Sequence, residues 1–261
     1  MKFIDKILDF LFSFIGRNDS PKIEHQIIPT TNKYNFKLEP LDPTKKKIMS
    51  ILNVWETGTP EGDYSNVSIF RDAPGEKKQI TFGRSQTTQT SHLPELVKRY
   101  VDADGRYSNQ LAQYRNSAGD LSLVGDKNFI KLLKLSGDDP VMRDLQDNLF
   151  DNKYWKPARS FFNTNGFKLP LSMLVFFDSY IHSGKIHWFL RKRFAAKVPK
   201  DGGDEREWIR QYLLTRDRWL RHHSRKILRK TVYRTENMLA AIDKGDWGLS
   251  EPFYANGVVV K

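Results

Sequence analysis

The chain has 261 residues, 39% of them apolar, enough to bury one large core or two small ones, and it contains no cysteine. Disulfide scaffolding and thiolate chemistry are excluded. The six histidines (His25, His92, His182, His187, His222 and His223) fall in no HExxH or other zinc-ligand pattern, so neither a metal nor another cofactor is expected. A net charge of +12 implies attraction to polyanions such as nucleic acid, an anionic membrane or an anionic cell-wall polymer.

Residues 1–16, MKFIDKILDFLFSFIG, are too short for a membrane span, and Asp9 interrupts the apolar core that a signal peptide needs. They read as an amphipathic helix that packs on the domain or touches a partner or a membrane surface. Polar residues 17–37, with Pro21 and Pro29, read as a linker, which divides the chain into residues 1–37 and a main domain, 38–261. Asp42-Pro43 supplies an N-cap and a first-turn proline. Ile48, Ile51, Leu52 and Trp55 then recur at helical spacing, and Gly58 is the expected stop. Glu56 falls in the last turn, where the helix dipole disfavours negative charge. With Trp55 adjacent, it is expected to keep its proton toward neutral pH, as a general acid must. Val67 and Ile69, then Ile80 and Phe82, read as two short strands around the loop DAPGEKKQ. Asp72 stands where strand meets loop, solvated enough to stay ionised. One protonated and one charged carboxyl on separate elements is the minimum apparatus for hydrolysing a glycosidic bond.

Helical signals dominate the rest. Leu93, Leu96, Val97 and Tyr100 form one stripe, closed by Gly105. Phe129, Ile130, Leu132, Leu133 and Leu135 form another, ended by Ser136-Gly137. Asp139-Pro140 opens a third, carrying Val141, Leu145, Leu149 and Phe150. Residues 169–181 are apolar nearly all round, the pattern of a helix through a core, and Asp178 interrupts them. A buried carboxylate without a partner costs several kcal/mol, so Asp178 predicts an arginine beside it, or else a hydrogen-bonded cap. Residues 216–230 carry seven Lys and Arg, which read first as a solvated helix face and second as a contact for an anionic polymer. Only Trp219 and Tyr233 interleave with them, so nucleic acid is not an expected partner.

The stretches ETGTPEGDYSNV and RDAPGEKKQITFGRSQTT resemble the catalytic Glu and hairpin Asp of the chitosanases of glycoside hydrolase family 46, in the lysozyme-like superfamily. HLPELVKRYVD resembles the helix after the hairpin and LSMLVFFDSYIHSG the central buried helix. GGDEREWIRQYLLTRDRWL and YRTENMLAAIDKGDWGLSEPFYANGVVV resemble the two segments that follow, so the likeness covers residues 38–261. It implies a mainly α, two-lobed lysozyme-like α+β fold with a small β-hairpin at the active-site cleft. It also implies endo-acting hydrolysis of β-1,4 links with inversion: Glu56 protonates the leaving oxygen and Asp72 activates a water on the opposite face, with the carboxyls roughly 6.5–9.5 Å apart. By the same likeness Thr81 helps hold that water, and Arg84 and His92 are substrate-binding positions. Arg216 is the partner of Asp178 in a buried ion-pair network, and Arg234 is a second candidate.

Three departures bear on substrate. The loop APGEKKQ is longer and more basic than the family's turn, His92 replaces an acidic cleft residue, and a basic stretch at His223–Lys226 replaces another acid. Chitosan is a polycation, so these changes and the net charge set peptidoglycan against it as the substrate. A non-catalytic wall-binding module on the same fold is the reading from another class. The expected protein is a monomer acting outside the cytoplasm, in the periplasm, cell wall or medium.

Overall fold

The computed structural model describes residues 42–261 apart from Ser85, so the expected N-terminal helix and linker lie outside the described residues. In chain order the main elements are α1 (Pro43–Thr57), β1 (Val67–Ala73), β2 (Lys77–Phe82), β3 (Thr87–Thr88), α2 (Leu93–Asp102), α3 (Lys127–Ser136), α4 (Pro140–Phe150), a π-helical turn (Asp151–Trp155), α5 (Lys156–Thr164), α6 (Pro170–Ser183), α7 (Glu205–Arg221), α8 (Tyr233–Asp243), β4 (Phe253–Ala255) and β5 (Val258–Val260). The protein is mainly helical with small antiparallel sheets. The described residues form two compact units. One is made of the residues up to Asp63 together with Phe150–Lys261, and the other is Tyr64–Leu149.

In the first unit α1 starts and stops as its sequence dictates. Asp42 Oδ1 accepts from the Thr44 amide at 3.3 Å, and Gly58 ends the helix in the left-handed region at φ 84°, its amide donating to Val54 O at 2.9 Å. Helix α6 is buried on nearly every face, as an unbroken apolar run requires. Its N-terminus has no capping side chain of its own. Glu205, at the start of α7, accepts instead from Leu169 N at 2.8 Å, Lys168 N at 2.9 Å and Ser172 Oγ at 2.7 Å. A carboxylate from a neighbouring helix thus serves donors that the helix itself leaves orphaned. Around Phe176 of α6 stand Phe167, Phe161, Trp208 and Phe162, with ring centroids 4.7, 5.1, 5.6 and 6.3 Å away and mostly edge-on. The β4–β5 hairpin packs on α1, where Phe253 meets Trp55 edge-on at 5.9 Å.

The second unit carries an antiparallel sheet in the order β1-β2-β3. Pairing of β1 with β2 continues from Val67↔Phe82 out to Ala73↔Lys77, so only Pro74, Gly75 and Glu76 connect the strands. The long basic loop expected from DAPGEKKQ is therefore corrected to a tight turn. Gly75 at φ 74° and Glu76 at φ 56° supply the left-handed backbone that so short a connection demands. Asp72 lies, as expected, beside the turn, one residue before the end of β1. The register shifts between Arg71, opposite Lys78, and Ala73, opposite Lys77, which makes Asp72 the extra residue of a β-bulge. Beneath the sheet, Ile80 and Phe82 join Leu96, Val97, Tyr100, Phe129, Leu133 and Leu145 in one core. Asp139 caps α4 through Val141 N at 3.1 Å and also accepts from Tyr100 Oη at 2.5 Å and Arg106 N at 2.7 Å. Gly105 does not cap α2, which ends at Asp102 with Ala103 as its cap. A β-carbon at Gly105 would lie 2.3 Å from the Tyr100 ring, so the glycine is there to let that ring reach Asp139.

Truncating Phe176 to Ala removes the ring that four aromatic neighbours enclose. The expected cost is about 3–5 kcal/mol, read as a lowered denaturant midpoint at unchanged m-value.

Candidate active site

The last turn of α1 presents Trp55 and Glu56 to the interior of the first unit, Glu56 being 6% exposed. Negative charge at a helix C-terminus is unfavourable. The structure meets this with Arg234 of α8, whose Nη2 lies 2.7 Å from Glu56 Oε1 and 3.4 Å from Trp55 O, and whose guanidinium stands 5.6 Å from the Trp55 ring. Tyr233 Oη also donates to Trp55 O, at 3.3 Å, and Asn237 Oδ1 accepts from the indole nitrogen of Trp55 at 3.2 Å. One turn and a half of α8 therefore fixes both the carbonyl end of α1 and the carboxyl beside it. A cation at this distance favours the charged form of a carboxyl. The expectation that helix end and burial alone set the proton on Glu56 left that cation out.

Arg234 bridges from Glu56 to Asp178. Its Nη1 donates to Asp178 Oδ1 at 2.8 Å, while Arg216 Nη1 of α7 donates to Asp178 Oδ2 at 2.6 Å. Asp178 and Arg216 are wholly inaccessible and Arg234 nearly so. Burial pushes the Asp178 carboxyl up, but Arg216 and then Arg234 outweigh it and hold the group at about 2. On Arg234 burial works against the charge, and Glu56, Tyr233 and Asp178 together raise it well above its ordinary value. Sequence reasoning named both arginines for Asp178 but did not connect Arg234 to Glu56.

It also missed His182, one turn along α6 from Asp178, whose Nδ1 lies 3.1 Å from Arg216 Nη2. Arginine can only donate, so Nδ1 is the bare nitrogen and the ring is neutral. Burial, Arg234 and Arg216 all hold its pKa well below the ordinary value. The i, i+4 spacing from Asp178 was the available signal.

The remaining expected positions belong to the second unit. Asp72 occupies the bulge of β1. Thr81, on β2, is fully buried, opposite Ser68 on one side and Thr88 on the other. Arg84 is 3% exposed and committed to the unit's interior, Nη2 lying 2.6 Å from Asp147 Oδ1 with the guanidinium 5.4 Å from the Tyr64 ring. The expected substrate contact of Arg84 would therefore have to be made beside its ion pair with Asp147. His92 is partly exposed at the start of α2, 3.9 Å from Glu95 Oε2, and Glu95 Oε1 in turn meets Arg99 at 2.5 Å. Of the stretch His223–Lys226, His223 stacks edge-on with Trp219 and accepts from the Arg225 amide at 3.1 Å. Among the described residues no group of His, Asp and Glu is placed to hold a metal ion.

Residues 50–253 match the model of glycosyl hydrolase family 46. A chitosanase of Bacillus subtilis strain 168 is 27% identical over 227 residues, 80% of either chain. Among solved structures, a chitosanase of the same family from Gynuella sunshinyii, in complex with chitotetraose, is similar at TM-score 0.67 and 22% identity, over 85% of this chain and 98% of that one. The native chitosanase of Bacillus subtilis MY002 is similar at TM-score 0.67 and 24% identity, over 85% and 100%.

Breaking the network strands a buried charge, so Arg216→Ala or Asp178→Asn is expected to cost about 3–5 kcal/mol in chemical denaturation. The pH dependence has a definite sign. The folded chain binds the Asp178 proton less tightly than the unfolded one, so this group stabilises above about pH 4 and the contribution is lost as pH falls toward 2. Melting temperature should fall more steeply with acid in the wild type than in Asp178→Asn over that window.

Proposed function

The chain belongs to glycosyl hydrolase family 46 and is a glycoside hydrolase acting on O-glycosyl bonds, and from that premise we propose that it cleaves β-1,4 links within an amino-sugar polysaccharide of the chitosan class, with inversion. The observation that carries the reading is the buried chain Arg216–Asp178–Arg234–Glu56. Interior ion pairs contribute little net stability against well-packed apolar residues. One that ends on a carboxyl at the end of a helix, inside the segment matching the family, is better explained by positioning a reactive group.

Glu56 gives its proton to the glycosidic oxygen as the bond from C1 to that oxygen breaks. Arg234 stabilises the carboxylate left behind. Asp72 takes a proton from a water whose oxygen bonds C1 from the opposite face, and solvent exchange returns both carboxyls to their starting states. Its place in a β-bulge suits the role, since bulges recur beside active sites. Thr81, wholly buried on the strand facing β1, supports the hairpin that carries Asp72 and through it the attacking water.

The relatives named chitosanases favour chitosan, and two structural findings weaken the case against it. The hairpin turn is short, and the position of the missing cleft acid, His92, has Glu95 beside it. We place the enzyme outside the cytoplasm, where such polymers occur.

Glu56→Gln is expected to lose at least a hundredfold in rate on soluble chitosan while sedimenting with the polymer as the wild type does. Asp72→Asn should lose a similar factor. Proton NMR of freshly released ends should show the α-anomer first; the β-anomer first would rule out inversion. Purified bacterial sacculi, incubated in parallel and assayed by mass spectrometry of released ends, should yield little product. Fast cleavage of sacculi with inert chitosan would move the substrate to peptidoglycan.

A further inference from the structure

The network above leaves one face of the first unit unused. From Ser179 to Lys200 the chain contains no acidic residue and six cations, Lys185, Arg191, Lys192, Arg193, Lys197 and Lys200. All six are exposed, and none forms an ion pair with a described residue. Apolar groups are interleaved with them. Trp188 is 63% exposed with Lys192 Nζ 4.8 Å from its ring, while Phe189, under Arg193, meets Trp219 of α7 edge-on with ring centroids 5.8 Å apart. Next to this turn, Arg193 and Arg218 flank a hollow of about 230 Å³ whose lining includes Phe194 and Leu214, the latter 50% exposed.

Each class of partner asks for a different surface. A cationic polysaccharide is repelled by this face, which therefore is no extension of the substrate site. A hydrophilic polyanion would use the cations but gains nothing from exposed Leu214. An anionic bilayer uses both sets of groups: Trp and Leu enter the headgroup boundary, and the Lys and Arg stems lie along them with their charges on the phosphates. We propose that the face formed by Lys185–Lys197 and the adjoining side of α7 docks reversibly on an anionic phospholipid surface, holding the enzyme at a membrane while it works. No described helix is long and apolar enough to cross a membrane, so the contact is peripheral.

The test uses the full chain, residues 1–16 included, in co-sedimentation with phosphatidylcholine vesicles with and without phosphatidylglycerol. Wild type should sediment with the anionic vesicles only and be released by salt. Arg191→Gln/Lys192→Gln/Arg193→Gln should weaken partitioning about 100-fold, since each cation near such a surface contributes about fivefold. Trp188→Ser/Leu214→Gln should weaken it about tenfold or more at unchanged charge. All replaced side chains are on the surface, and melting curves check that the fold is kept; Trp188→Ser alone serves if a multiple variant is unstable. Vesicle binding by both variants equal to wild type would overturn the proposal by placing the affinity elsewhere. So would tight binding of an oligodeoxythymidylate that depends on the three cations but not on Trp188 and Leu214, which would make the face a polyanion site.

Discussion

Asp178 has no access to water, and the interior of the first unit is arranged so that its charge is never alone. Two arginines from different helices take one oxygen each. Their own charges then need answers. Arg234 finds one in Glu56, and Arg216 leans on the bare nitrogen of His182. The order of dependence runs outward from the core: α6 fixes Asp178, Asp178 fixes α7 and α8 through their arginines, and α8 fixes the end of α1 where Glu56 sits. The carboxyl proposed above as the proton donor is thus held by a charge far inside the protein rather than by a loop at the surface.

Opposed influences meet at Glu56. Burial and the helix C-terminus favour a neutral carboxyl, and the guanidinium of Arg234 beside it favours the anion. In the mechanism proposed above, the first suits the donor before its proton is given up and the second suits the carboxylate left behind.

Charge is distributed with the same economy. The net excess of positive charge sits awkwardly with a cationic polymer as substrate if it is taken as a uniform property of the molecule. It is not uniform. Arg216, Arg234 and Arg84 are matched by Asp178, Glu56 and Asp147 and add nothing to the excess, whereas the acid-free segment after α6 carries six exposed cations, equal to half of the +12. Whole-chain charge therefore says little about the polarity of a groove, while a local run of exposed cations around an exposed tryptophan says a good deal about what that face can meet.

What the sequence by itself determined is whatever depends on neighbours along the chain. Asp42-Pro43 and Gly58 bound α1, the apolar stripes placed α2, α3 and α4, and the unbroken run through Asp178 announced a buried helix with a charge needing a partner. The ordered motifs identified the family and, with it, the candidate carboxyls. Tertiary structure decided what depends on residues far apart in the chain. Glu56 and Arg234 are separated by 178 positions, and no period or cap signals their contact. The hairpin was misjudged for a related reason: lysines and a Pro-Gly pair look like a loop, but ladder hydrogen bonds with the opposite strand extend β2 to Lys77 and leave Asp72 as the bulge. The burial of Arg84 against Asp147 and Tyr64 was likewise not legible, because exposure is not written in an arginine. Local propensity fixes where elements begin and end, whereas the pairing of buried charges is settled only when those elements pack.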